Sequence, residues 1–261
     1  MSLLALLLLT RLSTLDLTLE GLENENEQAT ARTVRSTSRP APQPFVIVGK
    51  PSFGPIKWDT GEPGTKTSKK ILELIESIDA TRTDTLYSHS TRVRRKEGVY
   101  HFDCSGMINW MLARVAPKAL ETIERERPVA ASYVRVIQKS PTDRSRGGWQ
   151  RIANIEKVEP GDVFAWRRPK DWPKGGNSGH VGVVMARPSK VPHLENAYVV
   201  RIVDSTRWRH QDDTRGEDQT GFGMGTILFM TDDHGHPIGY AWFGSESGGY
   251  YETDVVFGRV H

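Results

Sequence analysis

The chain carries one cysteine, Cys104, in 261 residues. A lone thiol excludes an internal disulfide framework and a multi-cysteine metal cluster. Charge of one sign is also missing. Thirty-five Lys and Arg stand against 32 Asp and Glu, a net charge of +3, which is too weak to argue for nucleic acid as a partner. Long apolar runs are absent too. The run from Leu3 to Leu9 is too short for a stable membrane span and has the length of an export-signal core. Residues 1–22 therefore read as a signal or Leu-rich segment, with an extracytoplasmic location expected.

What remains is ordinary for a globular protein: 37% hydrophobic and 26% charged residues, with length enough for one sizeable core. Residues 23–43 are polar and rich in Ser, Thr and Pro, the composition of a disordered linker. A single folded domain is expected over residues 44–261. Ile71, Leu72, Leu74, Ile75 and Ile78 follow helical spacing. Another helix is expected near Ala119 to Arg127, and residues 132–148 show no decisive period. From Val158 onward six runs rich in Val, Ile, Phe or Tyr alternate with turns: GDVFAW, HVGVVMA, AYVVRIVDS, GTILFMT, IGYAWF and ETDVVFGRV. Helices first and strands second predict an α+β fold: N-terminal helices packed on an antiparallel sheet of about five to six strands.

Cys104 lies in FDCSGMINWML. Cys104, Met107, Ile108, Met111, Leu112 and Val115 make one helical stripe. Asp103 directly before it is suited to capping, so the thiol falls in the first turn. There the free N–H groups and the helix dipole favour thiolate. A buried free cysteine is commonly just a small hydrophobe, so a reactive one requires a base. Of eight histidines, His180 opens the strand HVGVVMA, and the next strand ends in Asp204. Antiparallel pairing of those strands brings Asp204 to His180. Cys104, His180 and Asp204 then take the roles of nucleophile on a helix, base on a strand and orienter on the following strand, which is similar to the papain-like arrangement.

These residues resemble a known family. FDCSGMINWML is similar to the DCSG helix of NlpC-type cell-wall cysteine peptidases, VEPGDVFAW to their Pro-Gly-Asp turn and strand, and SGHVGVVM to their histidine strand. The resemblance covers roughly residues 81–205. It implies a cysteine hydrolase that cuts an amide bond in a peptidoglycan stem peptide, often beside D-glutamate, with Tyr87, Asp103 and Ser105 as substrate-binding residues and no cofactor or metal. Two departures stand out. The Cys-to-His interval is longer than the family's, and Asp204 occupies a place commonly held by His, Asn or Gln.

Two other function classes fit the same residues. One is a catalytically silent wall-binding module. The other is a thiol acyltransferase or amidase acting on a small molecule or lipid. His234 and His236 (HGH) sit in turn chemistry with no third ligand at metal spacing. RVRRKEG at 92–98 reads as a solvated charge run. Trp166, Trp172, Trp208 and Trp242 read as core or cleft wall. The expected partner is peptidoglycan or another peptide substrate, with the protein a monomer.

Overall fold

The computed structural model describes residues 45–47, 56–170 and 177–261, all within a unit spanning Gln43–His261. The signal and linker expectations for residues 1–43, and Trp172, lie outside the described residues.

Helix α1 (Lys66–Thr81) begins at Thr65, whose hydroxyl accepts from the Ser68 N–H and donates to the carbonyl of Val260. Ile71, Ile75 and Ile78 are its buried stripe. Short strands β2 (Asp84–Leu86), β3 (Arg92–Arg94) and β4 (Val99–His101) follow and form a small sheet in the order β2-β4-β3. Helix α2 (Cys104–Val115) comes next, then α3 (Pro117–Glu121) and α4 (Ala130–Gln138).

The main sheet is antiparallel throughout. It takes β1 (Phe45–Ile47), β5 (Trp149–Ile152), β6 (Val163–Arg167), β7 (Gly179–Val184), β9 (Ala197–Thr206), β10 (Gly221–Thr231), β11 (Pro237–Ala241), β12 (Gly249–Glu252) and β13 (Val255–Val260) in the order β1-β12-β11-β10-β9-β7-β6-β13-β5. Strand β8 (Ser189–Lys190) adds to β9 beside this path.

This architecture corrects the expected fold class. Among the described residues the unit is mostly β, with nine strands along one sheet, a second three-stranded sheet and few helices. It is not a papain-like set of N-terminal helices on five or six strands. Each of the six anticipated runs contains a strand, but the additional strands carry weak signals. β2, β3 and β4 are three residues each, too short to show a period of two. Gly248-Gly249 reads as a turn, yet Gly249 opens β12. The helix expected near 119–127 is only Pro117–Glu121. The larger helix, α4, buries Ala130, Tyr133, Val134 and Ile137, an i, i+3, i+4, i+7 set that helical spacing requires.

The two faces of the sheet have different partners. Val181, Val183 and Val203 join the side chains of α1, α2 and α4 in one core. Phe164, Trp166, Val184, Ile202 and Phe229 form a second core on the other face. Alternation along each strand produces this division. Asp162, in the Pro-Gly-Asp turn, is buried and pairs with Arg259 through two 2.9 Å contacts. It thereby locks the start of β6 to the last strand. Burial pushes the Asp162 carboxyl up against the opposing pull of Arg259.

Candidate active site

Helix α2 starts where the sequence places it. Asp103 is the cap: its Oδ1 accepts from the Gly106 N–H at 2.6 Å and from the Ser105 hydroxyl at 2.9 Å. Gly106 has a packing reason, because a Cβ there would lie 2.7 Å from Thr91 Oγ1 and 3.1 Å from Asp103 Oδ1. The helix is buried on most sides, with Met107 and Leu112 fully covered. Its start is tied to the sheet by Ser205, whose hydroxyl donates to the Phe102 carbonyl at 2.6 Å. Ser205 follows Asp204 directly, so this bond sets the cysteine turn beside the strand that carries the acid.

His180 enters from β7. Gly179 before it has φ of +130°, and a Cβ there would fall 1.8 Å from the Trp166 carbonyl oxygen. Only glycine fits that bend. Val183 pairs with Val203 across β7 and β9, so Gly182 faces Asp204 one step further on. His180 is then the diagonal neighbour of Asp204 on the same face. Gly182 between them is bare because a Cβ there would lie 2.6 Å from the Phe164 ring and from the Val203 carbonyl oxygen, and His180 Nε2 meets Asp204 Oδ2 at 2.6 Å. The ring is walled by Trp166 at 5.1 Å and Trp242 at 5.2 Å between centroids.

With Nε2 on Asp204, the other ring nitrogen is left for Cys104, which lies close enough to act on the His180 ring. Burial alone would push the imidazole toward its neutral form. The Cys104 sulfur and the Asp204 carboxylate outweigh it and raise the His180 pKa to about 9. The structure therefore brings Cys104, His180 and Asp204 into one connected set.

The other three anticipated residues surround the thiol in different ways. Tyr87 is half-buried. Burial and the nearby Cys104 and Asp103 push its hydroxyl well above the usual tyrosine range, against the pull of Arg207. The Arg207 guanidinium sits 5.2 Å from the Tyr87 ring centroid. Asp103 is divided between two tasks. Oδ1 caps the helix, while Oδ2 meets His89 Nδ1 at 3.0 Å and Arg127 at 3.5 Å. Ser105 is buried and donates to Asp103, so its hydroxyl serves the cap.

Sequence reasoning missed what lies behind Asp204. Arg215, its side chain 1% exposed, bonds Asp204 Oδ1 and pairs with Asp213 at 2.7 Å. His210, also buried, places Nε2 2.8 Å from Asp204 Oδ2. Against burial, which favours the acid form, His210, Arg215 and His180 hold the Asp204 carboxyl well below the usual carboxylate range. Both residues come from the polar stretch RWRHQDDTRG, which has no periodicity that would fold it under β9.

His180, Asp204 and His210 present ligand-type atoms within 4.8 Å of one another. The Asp204 carboxylate is already filled by two imidazoles and a guanidinium. A cation would have to displace both imidazole donors and sit against Arg215, so the donor set suits hydrogen bonding better than a metal. His234 and His236 lie in the turn after β10, where His236 meets Asp232 at 3.0 Å. Trp208 is 48% exposed and stands edge-on to Trp242. Trp166 is buried.

No protein-family model and no solved structure matches the chain. "Uncharacterized protein R653" of Acanthamoeba polyphaga mimivirus is 31% identical over 180 residues, which covers 60% of this chain and 77% of the viral protein. The chain belongs to the family of that viral protein. Among the described residues no helix is long and apolar enough to cross a membrane.

Proposed function

We propose that the protein is a cysteine-dependent amide hydrolase. The observation that carries this reading is the connected set itself: the only thiol of the chain lies in the first turn of a helix and on a histidine whose far nitrogen is held by a buried carboxylate. A cysteine serving only as packing needs none of these partners. The motif resemblance to NlpC-type peptidases favours a peptidoglycan stem peptide as the substrate.

In this mechanism His180 holds the proton taken from Cys104, and the thiolate attacks the amide carbonyl carbon. The oxyanion forms beside the first helical turn, where backbone N–H groups have no intrahelical partner. His180 gives its proton to the departing nitrogen as the C–N bond breaks, which releases an amine and leaves a thioester. His180 then takes a proton from water, the hydroxide adds to the thioester, and the C–S bond breaks. The acid leaves and the thiol is restored. Asp204 keeps Nε2 protonated and the ring oriented throughout.

The test is the rate of Cys104 alkylation by iodoacetamide against pH in the wild type and in His180→Ala. Fast labelling well below pH ~8.5, the value of an ordinary thiol, and its loss in the variant, support the reading. A free-thiol profile unchanged by His180→Ala sinks it.

A further inference from the structure

The acid of the site is shared by two histidines, and the second has no part in the mechanism just given. His210 Nε2 faces Asp204 Oδ2 at 2.8 Å, and His210 Nδ1 faces the Trp242 carbonyl oxygen at 3.1 Å. A carbonyl oxygen only accepts, and so does an ionised carboxylate. Both nitrogens of His210 thus face acceptors, and only a doubly protonated ring donates to both. Its place is built for it. Trp242 lies 4.2 Å away, ring to ring. A Cβ at Gly225 would come within 2.5 Å of His210, and one at Gly223 within 2.6 Å of Arg215. Two glycines of β10 thus open the space in which both cations reach Asp204.

We propose that His210 is a positioning residue: it binds the same carboxylate oxygen as His180, draws part of that charge away from it, and so sets the pH range in which the Cys104–His180 pair stays charged. This rests on the cysteine-hydrolase reading. The charged and titratable groups that face the two rings are Cys104 from α2, Asp204 from β9, and Asp213 and Arg215 from the segment before β10. Across the cleft Tyr87, Asp103 and Arg207 also act on the thiol region, and Tyr133 of α4 feels Cys104 from the core side. Among these, His210 is the cation that shares an oxygen with His180. Like charges at such separations shift a titration by about one unit or more.

The experiment is the alkylation profile of Cys104 in the full chain from pH 5 to 10.5, for the wild type, His180→Ala and His210→Gln. Glutamine keeps an N–H for Asp204 but removes the charge. The expected result is that the alkaline inflection of the wild type moves up by about one pH unit in His210→Gln, and that His180→Ala shows instead the single inflection of an ordinary thiol near pH ~8.5. If His180→Ala changes the profile and His210→Gln leaves the inflection in place or lowers it, His210 is only structural and the proposal is overturned while the hydrolase reading stands. If His180→Ala changes nothing, the hydrolase reading itself fails. A second measurement covers a His210→Gln protein that does not fold. In ¹⁵N NMR of the wild type at pH 8, the assigned His210 ring shows two protonated nitrogens. A neutral His210 ring at that pH overturns the proposal without any variant.

Discussion

Asp204→Asn perturbs the centre of the site with almost no change of shape. In the native protein both imidazoles donate to Oδ2, at 2.6 and 2.8 Å, and Arg215 donates to Oδ1. Asparagine has one acceptor oxygen. Whichever way its amide turns, the NH2 end faces either two imidazole donors or a guanidinium. Breaking one side of a buried charge pair costs roughly 3–5 kcal/mol. For a domain of this size each kcal/mol lowers Tm by about 2–4 °C, so the fall is about 6–20 °C. The pH dependence has a definite sign. A carboxyl held below its usual range stabilises the fold above its unfolded pKa of about 3.9, and that stabilisation is lost as pH falls through the lower folded value. The Tm gap between wild type and variant is therefore full from pH 5 to 7 and closes progressively below about pH 4. Differential scanning fluorimetry across that range measures it. A gap under about 2 °C at pH 7, less than 1 kcal/mol on the same scale, or one that does not change down to pH 3, refutes the account of Asp204 as a clamped carboxylate.

Hydrolysis of a susceptible amide should fall as pH rises through about 9, because His180 then loses the proton that the leaving amine needs; a rate that keeps rising to pH 10.5 would falsify that role. Gly179→Ala should destabilise by about 2–3 kcal/mol or more, since it forces a side chain into φ of +130° against the Trp166 carbonyl, and urea titration reads the loss. Asp103→Ala should cost about 1 kcal/mol as a lost helix cap, while Asp103→Asn stays within a few tenths. Equal losses in the two variants would mean that the Oδ2 contacts with His89 and Arg127 matter more than the cap.

Local chemistry made part of this legible in the sequence. Asp103 before an apolar stripe marks the start of α2, and a β-rich run after Gly179 marks β7. Antiparallel order alone brings the C-terminal end of β9 to the first residue of β7, and so Asp204 to His180. The full β content is not legible in the sequence, because strands of two to four residues, such as Arg92–Arg94 and Trp149–Ile152, owe their pairing to neighbours distant in sequence and not to a pattern of their own. The clamp behind Asp204 was invisible for a related reason. His210 and Arg215 sit in a polar segment whose path is set by what it binds. The local trace they leave is Gly223 and Gly225 in a strand otherwise built of large residues. A glycine inside a strand marks the close approach of another group, but it does not say which.

The presence of Arg215 and His210 around Asp204 has one physical cause. A neutral residue at this place needs no counter-ion. A buried carboxylate does, because removing its hydration costs several kcal/mol. Arg215 supplies the balance, and in doing so it satisfies the carbonyls of Asp204, Gly221 and Gly223 and pairs with Asp213. Asp204 and Arg215 are therefore expected to behave as a unit. Arg215→Met alone should destabilise strongly, since it leaves two buried carboxylates short of a partner. Adding Asp204→Asn to it should cost less than Asp204→Asn costs in the wild type, by about 0.5–3 kcal/mol. Chemical denaturation of the four proteins in this cycle gives the coupling directly. Additive losses would mean that the guanidinium serves Asp213 and the strand carbonyls alone. The carboxylate at 204 would then be held by its two histidines.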